Sequence, residues 1–204
     1  MSQEPLKSTH PAHARAVKEA SQHSLPQPEH RADRISKLSA AELADLLGNP
    51  KATLFEKAKA CQRLAAIGGK EAVPALAPLL TDPQLSHYAR FGLEPNPEPA
   101  AGEALRGALR KVQGPLLVGV INSLGARRDE RAVEALGRLL ASPDPEVAKA
   151  AAAALGRISG LRAARLLEAT LGRQRGTVRE AVAAALLACA EGLLQQGHRQ
   201  RALA

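Results

Sequence analysis

The chain has 204 residues and a net charge of +8; 45% of its residues are hydrophobic, and its three aromatic residues are Phe55, Tyr88 and Phe91. Barrels and sandwiches usually fill their cores with aromatic and β-branched side chains. An apolar fraction made mainly of Ala and Leu therefore favours packed helices over an all-β fold. The positive charge favours acidic partners without identifying one.

Neither cysteines nor apolar runs point to a secreted or membrane-bound protein. Cys61 and Cys189 form neither a CxxC pair nor a disulfide framework. Residues 1–36 contain no continuous apolar stretch of the kind found in signal peptides, and no run approaches the roughly 20 apolar residues that span a membrane. These observations predict a cytoplasmic protein with no membrane association.

The first 37 residues differ in composition from the rest of the chain. They mix Pro, Ser, Gln, His and charged residues without a sustained helical or strand period. Such a segment buries too little apolar surface to offset its ordering entropy, so we predict a flexible, mostly disordered N-terminal arm over residues 1–37. A brief helix at residues 12–20 is an alternative. The four histidines of this arm are interpreted as part of a solvated tail rather than as metal ligands.

From residue 38 onward the sequence is typical of helices. Three capping boxes of the form S/T-x-x-E mark predicted helix starts: Ser39 with Glu42, Thr53 with Glu56, and Thr177 with Glu180. The first two helices are predicted to run through Leu47 and about Ile67. The second of them ends at the Gly68-Gly69 pair, since glycine supplies the left-handed residue that closes a helix.

Four similar segments then recur at residues 71–80, 100–109, 131–140 and 162–171. Their equivalent residues Val73, Ala101, Val133 and Ala164 are 28, 32 and 31 residues apart. Each segment precedes a second predicted helix, at residues 83–93, 115–124, 145–158 and 177–194. Helix pairs that recur at about thirty residues stack because neither helix can bury its apolar face alone. The sequence therefore predicts an all-α chain with an α-solenoid of about five two-helix units over residues 38–204.

One unit carries a family resemblance. The segment SPDPEVAKAAAAALGRISG, residues 142–160, resembles the short HEAT-like repeat of the phycobilin-lyase type. The match lies at Val147, Ala150, Ala151, Ala154, Leu155, Gly156, Ile158 and Gly160. Residues 55–204 are also similar to the N-terminal part of larger bacterial HEAT-repeat proteins. The resemblance implies an α-solenoid fold, and the function that we expect for such an array is that of a scaffold or adaptor for protein partners. An accessory subunit of a bilin-lyase-like enzyme is an alternative that rests on fold analogy alone.

No pattern in the chain points to catalysis. Iron-binding HEAT enzymes carry His-Glu dipeptides on successive repeats, and this sequence contains none. Cys61 and Cys189 continue apolar stripes on their predicted helices, which indicates buried and unreactive thiols. Neither G-x-S-x-G nor a phosphate-binding loop is present. We therefore expect a non-enzymatic protein with no catalytic residue, cofactor or metal.

A basic cluster offers a second hypothesis for function. Six arginines lie between residues 157 and 179, with Glu168 as the only acid among them: Arg157, Arg162, Arg165, Arg173, Arg175 and Arg179. Weak, non-specific binding of nucleic acid or another polyanion is one interpretation. A solvated surface that complements helix C-termini is favoured over it, because no aromatic residue accompanies the arginines to stack on bases.

The second helices supply the candidate partner site, since they line the concave face of HEAT arrays. Aligning them on Leu93, Leu124, Leu155 and Leu186 predicts that positions 2, 3, 6 and 7 before each leucine face outward. The resulting candidate strip comprises Ser86, His87, Arg90, Phe91, Leu117, Val118, Ile121, Asn122 and Lys149. Because the third of these helices is apolar nearly all round, something must cover it. Either the array's own curvature or N-terminal arm does so, or a partner's helix or extended segment does.

Overall fold

The computed structural model describes residues 28–195, with side chains from Ala32 onward. Over this span the chain is helical, with two short 3₁₀ turns at Ala77–Thr81 and Glu130–Ala132 and no strand. Eleven α-helices lie in this part of the chain: α1 Pro28–Ser36, α2 Ala40–Gly48, α3 Leu54–Ile67, α4 Ala72–Leu76, α5 Ser86–Leu93, α6 Pro99–Ala108, α7 Gly114–Ala126, α8 Val133–Leu139, α9 Pro145–Ile158, α10 Leu161–Leu171 and α11 Gly176–Gln195.

The helices from α2 onward form five stacked pairs, which we number units 1 to 5. Helices α2, α4, α6, α8 and α10 are the first helices of these units, and α3, α5, α7, α9 and α11 are the second helices. Each second helix packs on the second helix of the next unit, and each also contacts the first helix of its own unit. The predicted α-solenoid of five two-helix units is therefore confirmed.

A single hydrophobic core runs through the stack and is built from leucine and alanine. Equivalent leucines on successive second helices, Leu64, Leu93, Leu124 and Leu155, have no exposed surface. This recurrence gives each unit the same anchor against its neighbours. The near absence of aromatic residues follows from this geometry, because closely spaced helices leave room for small and medium side chains.

Local capping chemistry sets two of the predicted helix starts. The Ser39 hydroxyl accepts a hydrogen bond from the Glu42 amide at 3.3 Å, and the Ser39 amide donates to the Glu42 carboxylate at 2.8 Å. Hydrogen bonds from the Ser39 side chain, and then its backbone, lower the pKa of Glu42. Thr53 forms the same box ahead of α3. The third predicted box is wrong, because α11 begins at Gly176 and so places Thr177 inside the helix.

The predicted helix at residues 71–80 is broken in two. Helix α4 ends at Leu76, and the chain continues as the 3₁₀ turn Ala77–Thr81. The cause is Pro78, which lacks an N–H donor and whose ring collides with the carbonyl of Pro74 in a regular helix. The unit keeps its place in the stack because Leu76 and Leu80 are both buried in the core.

Helix α1 lies within the segment that was predicted to be a flexible arm. Its Ile35 is buried and joins the core, and α1 packs on α3. One apolar side chain thus attaches residues 28–36 to unit 1, although this segment shows no sustained helical period. The remainder of the predicted arm, including the helix considered at residues 12–20, lies outside the described residues.

Candidate functional site

The second helices α3, α5, α7, α9 and α11 lie side by side and form one face of the array, which we call the second-helix face. The sequence alignment correctly placed the inward positions on α7, since Leu124, Val120 and Gly119 are buried. Leu116, one turn further toward the helix start, is partly buried. The helical period therefore assigns the core side of this face correctly.

The outward positions of the predicted strip divide into three groups. His87 and Phe91 are exposed, and Phe91 has 52% of its surface accessible. Partly buried residues make up the second group: Arg90, Leu117, Val118, Asn122 and Lys149. Ser86 and Ile121 are buried, with 1% and 0% of their surfaces exposed, so the prediction that these two face outward is wrong.

The error has a simple geometric cause. Positions 3 and 7 before the reference leucine lie on the flank of each second helix, where the neighbouring second helix packs. Ile121 and Ser86 occupy such positions, and the equivalent Ala152 and Ala148 of α9 are buried as well. Positions 2 and 6, such as Phe91 and His87, remain accessible. The accessible strip is therefore narrower than the sequence predicted.

Phe91 lies in an apolar groove of about 580 Å³ that extends across three second helices. We call it the Phe91 groove; its lining residues are Gln62, Ala65, Ala66, Phe91, Glu94, Pro95 and Ala126. The alanines on α3 and α7 create the space, because their side chains are too short to reach across to the aromatic ring. A large, half-exposed aromatic side chain in such a groove is typical of a site that binds an apolar group.

A polar junction lies directly behind this groove, between units 2 and 3. The Arg90 guanidinium donates to the Gly119 carbonyl at 3.2 Å, and the Ser123 hydroxyl donates to the Glu94 carboxylate at 2.5 Å. Burial lowers the pKa of Arg90, and the charge of Glu94 opposes that shift. Gly119 makes this approach possible, because a Cβ there would lie 2.6 Å from the Arg90 guanidinium carbon.

Arg127 completes this polar junction by closing the end of α5. Its Nη1 donates to the carbonyls of Leu93 at 2.6 Å, Glu94 at 2.9 Å and Asn96 at 2.6 Å. Burial lowers the pKa of Arg127, Arg106 adds to the lowering, and Asp129 and Glu94 oppose it. The last carbonyls of a helix carry partial negative charge, so a guanidinium is a favourable cap.

The arginine cluster does not converge on one surface. Arg162 lies at the start of α10 and forms an ion pair with Glu134 at 2.7 Å. Arg173 and Arg175 lie beyond the other end of α10, so about 16 Å of helix separates them from Arg162. Arg165 lies between, on α10, and Arg179 lies in the first turn of α11. Arg157 instead belongs to the second-helix face, where it donates to the Asn122 amide oxygen at 3.0 Å.

Both cysteines are core residues, as the sequence predicted. Cys61 and Cys189 have no more than 1% of their surfaces exposed. Burial raises the pKa of the Cys61 thiol to about 12 and that of Cys189 to about 11. At neutral pH both side chains are therefore neutral thiols, and the Cys189 thiol donates to the Leu155 carbonyl at 3.7 Å.

Two further properties concern residues 28–195 as a whole. No cluster of three or more His, Cys, Asp or Glu side chains with the arrangement of a metal site occurs among them. None of the helices in that range combines the length and the apolar character needed to cross a bilayer.

Comparison with known families identifies the repeats. Residues 99–187 match the family described as HEAT repeats. The match begins at the first residue of α6 and extends into α11, so it covers units 3, 4 and most of 5. Residues 99–187 are therefore HEAT repeats. HEAT repeats generally mediate protein–protein interactions, and the helix pairs of units 1 and 2 extend the same α-solenoid toward the N-terminus.

Among solved structures, the HEAT array is similar to an engineered protein and to human deoxyhypusine hydroxylase in complex with glycerol. The engineered protein is 23% identical, with a TM-score of 0.49 over 79% of this chain and 86% of the other. The hydroxylase is 18% identical, with a TM-score of 0.46 over 89% of this chain and 85% of the other. No curated protein matches the sequence significantly.

Two features of the HEAT array were missed by sequence reasoning. No role was predicted for Arg127, which caps a helix of the preceding unit. The Phe91 groove was also missed, because its lining residues are distributed over the three second helices α3, α5 and α7 and the segment that follows α5. The one available signal was the exposed position of Phe91 next to small residues on neighbouring helices.

Proposed function

We propose that this HEAT array is a non-enzymatic interaction module that binds a segment of a partner protein on its second-helix face. The observation that carries the proposal is Phe91, a large aromatic residue with 52% of its surface exposed in a groove of about 580 Å³. Burying the exposed half of such a side chain against a partner contributes about 1 kcal/mol. The two thiols support a binding role over thiol chemistry, because burial keeps both of them neutral.

The chemistry of the groove favours an apolar anchor on the partner. Alanine and proline side chains line most of it, and Gln62 and Glu94 provide polar contacts at its margin. Interfaces typically combine an apolar centre with a polar rim in this way. A leucine, methionine or aromatic side chain of an extended or helical segment would fill the groove and cover Phe91.

The test is to select peptides from a random library displayed on phage. Peptides of about twelve residues are long enough to extend across the second-helix face. Selected peptides are then titrated by fluorescence anisotropy against the parent protein and two truncations, Phe91→Ala and Leu187→Ala. Leu187 is a matched control, because it is 68% exposed and lies on α11, away from the groove. Both variants should melt like the parent protein, since neither side chain belongs to the core.

We expect Phe91→Ala to weaken binding by about 10- to 100-fold, while Leu187→Ala leaves it unchanged. Failure to select any peptide would overturn the proposal. Equal affinity of the parent and Phe91→Ala for every selected peptide would also overturn it.

A further inference from the structure

A second cavity lies beside the Phe91 groove, at the C-terminal ends of α7 and α9. Its volume is about 270 Å³, and it is lined by Arg128, Gly156, Arg157, Ser159, Ala188, Glu191, Gly192 and Gln195. We call it the Arg128 cavity. The groove and the cavity adjoin at the end of α7, where Ala126 lines the groove and Arg128 lines the cavity. An apolar site and a basic site therefore follow one another along the same face.

Arg157 is held in place at this cavity. Its guanidinium crosses α7 at Gly125, where a Cβ would lie only 3.1 Å from the arginine Nε. One terminal nitrogen donates to Asn122 at 3.0 Å. Within residues 32–195, neither Arg157 nor Arg128 forms an ion pair with a carboxylate. Two guanidinium groups thus line the cavity with their charges uncompensated by direct pairing.

The backbone around the cavity is unusual. Arg128 closes α7 at a position that normally carries glycine, with φ of 51°. The Arg128 amide donates to Gly125, and the Asp129 amide donates to Leu124, both at 3.1 Å. Ser159, the other non-glycine residue with positive φ in the described range, also lines the cavity and donates to the Cys189 carbonyl at 3.3 Å. Arg128 thus holds a backbone conformation that glycine would adopt with less strain.

We propose that the partner segment continues from the Phe91 groove into the Arg128 cavity and places a carboxylate between Arg128 and Arg157. This inference rests on the proposed function and specifies the chemistry of the partner: an apolar anchor accompanied by Asp or Glu. Guanidinium groups bind carboxylates through paired hydrogen bonds, which suits a cavity of this size. Two helix spacings of about 8–10 Å separate Phe91 on α5 from Arg157 on α9, a distance that about five or six extended residues would span.

The charge pattern favours an acidic protein segment over nucleic acid. Duplex DNA presents about one phosphate per 1.7 Å of its axis, so a nucleic-acid surface needs a continuous series of cations. The Arg128 cavity offers two cations, enough for one carboxylate but not for a continuous phosphate backbone. Arg165, Arg173 and Arg175 lie on or beyond α10 and do not line this cavity.

The test compares two charge-matched double variants in the same peptide titration. The cavity variant combines Arg128→Gly with Arg157→Met and so removes both cations from the cavity. Glycine is the residue that the positive φ at position 128 favours, so this substitution should not strain the end of α7. Arg165→Met with Arg173→Met removes the same charge from exposed positions outside the cavity. Melting temperatures check that both fold. Each selected peptide is also synthesised with its Asp and Glu residues replaced by Asn and Gln.

We expect selected peptides to combine an apolar residue with Asp or Glu. The cavity variant should bind them about tenfold more weakly and the control variant within about twofold of the parent protein. Amide replacement in the peptide should weaken binding to the parent but not to the cavity variant. Equal binding by the two double variants would overturn this inference while leaving the Phe91 site intact. A short DNA duplex could also compete with the peptides for the parent protein. If this competition disappeared only in the cavity variant, the cavity would be assigned to phosphates and the inference would be overturned as well.

Discussion

Ile121 and Phe91 show how a shift of one helical position determines whether a large apolar side chain is buried or exposed. Ile121 lies three residues before its reference leucine and is fully buried, whereas Phe91 lies two residues before its own and is 52% exposed. The two positions differ by one residue, or about 100° around the helix. Ile121 contributes to the interface between neighbouring units, and Phe91 remains available to a partner.

This difference predicts that a substitution to aspartate will cost much more stability at a buried position of the second-helix face than at an exposed one. Ile121→Asp buries an unpaired carboxylate, so it should lower the free energy of unfolding by about 3–5 kcal/mol. Ala153→Asp on α9, at the exposed position equivalent to Phe91, should cost less than about 1 kcal/mol. Urea denaturation followed by circular dichroism measures both. A folded Ile121→Asp protein with nearly parental stability would contradict the burial of this residue.

The capping roles of Ser39 and Thr53 were predictable from the sequence, whereas the role of Arg127 depends on another unit and was not. The Ser39 and Thr53 boxes lie within four residues of chain, and the structure forms both. Arg127 acts on Leu93, Glu94 and Asn96, more than 30 residues away. No local pattern encodes which helix end will lie beside that guanidinium, so its capping role became visible only with the helices in place.

At the scale of the helix, glycine controls how closely second helices approach. An added Cβ at Gly125 of α7 would lie 2.8 Å from the Ala154 Cα of α9. At Gly156 of α9 the added atom would lie 3.0 Å from the Ala185 Cα of α11. Leu155 and Gly156 of α9 both match the repeat motif, but the motif did not indicate that the glycine faces the next second helix.

Gly125→Ala and Gly107→Ala should therefore change stability in opposite directions. Gly125→Ala forces α7 and α9 apart and should destabilise the fold by about 1–3 kcal/mol. Gly107 lies in α6 with no atom within 4 Å of an added Cβ, so Gly107→Ala should stabilise it by about 0.5–1 kcal/mol through helix propensity. Chemical denaturation of the two variants provides the comparison. A stabilised Gly125→Ala protein would show that the second helices can separate at little cost.

Over the whole molecule, the junctions between units are of two kinds. Units 3, 4 and 5 join through closely packed glycine and alanine, whereas units 2 and 3 join through Arg90, Glu94, Ser123 and Arg127. Repeat arrays derive their cooperativity from the interfaces between neighbours. The polar junction is therefore the place where the array can divide into two folding segments.

Arg127→Met tests this division. The variant removes three hydrogen bonds to the end of α5, so we expect a loss of about 2–4 kcal/mol, confined to residues 32–98. Hydrogen exchange should show lower protection there while α7, α9 and α11 stay protected. Arg131→Met is the control, because its exposed side chain makes only a 3.9 Å ion pair with Glu103. A single uniform transition with parental protection in both segments would contradict the division.

The glycine contacts also give the junction between units 4 and 5 the shape of a wedge. Between units 4 and 5 the second helices meet as Gly156 against Ala185, while the first helices meet as Gly137 against the larger Leu166. The thin side of this wedge is therefore the side of the second helices, so the junction tilts unit 5 toward that side. The degree of tilt depends on these small side chains inside the stack. A change at Gly125, which packs closely on Ala154 of α9, would alter the distance between the Phe91 groove and the Arg128 cavity without replacing any residue that lines either site.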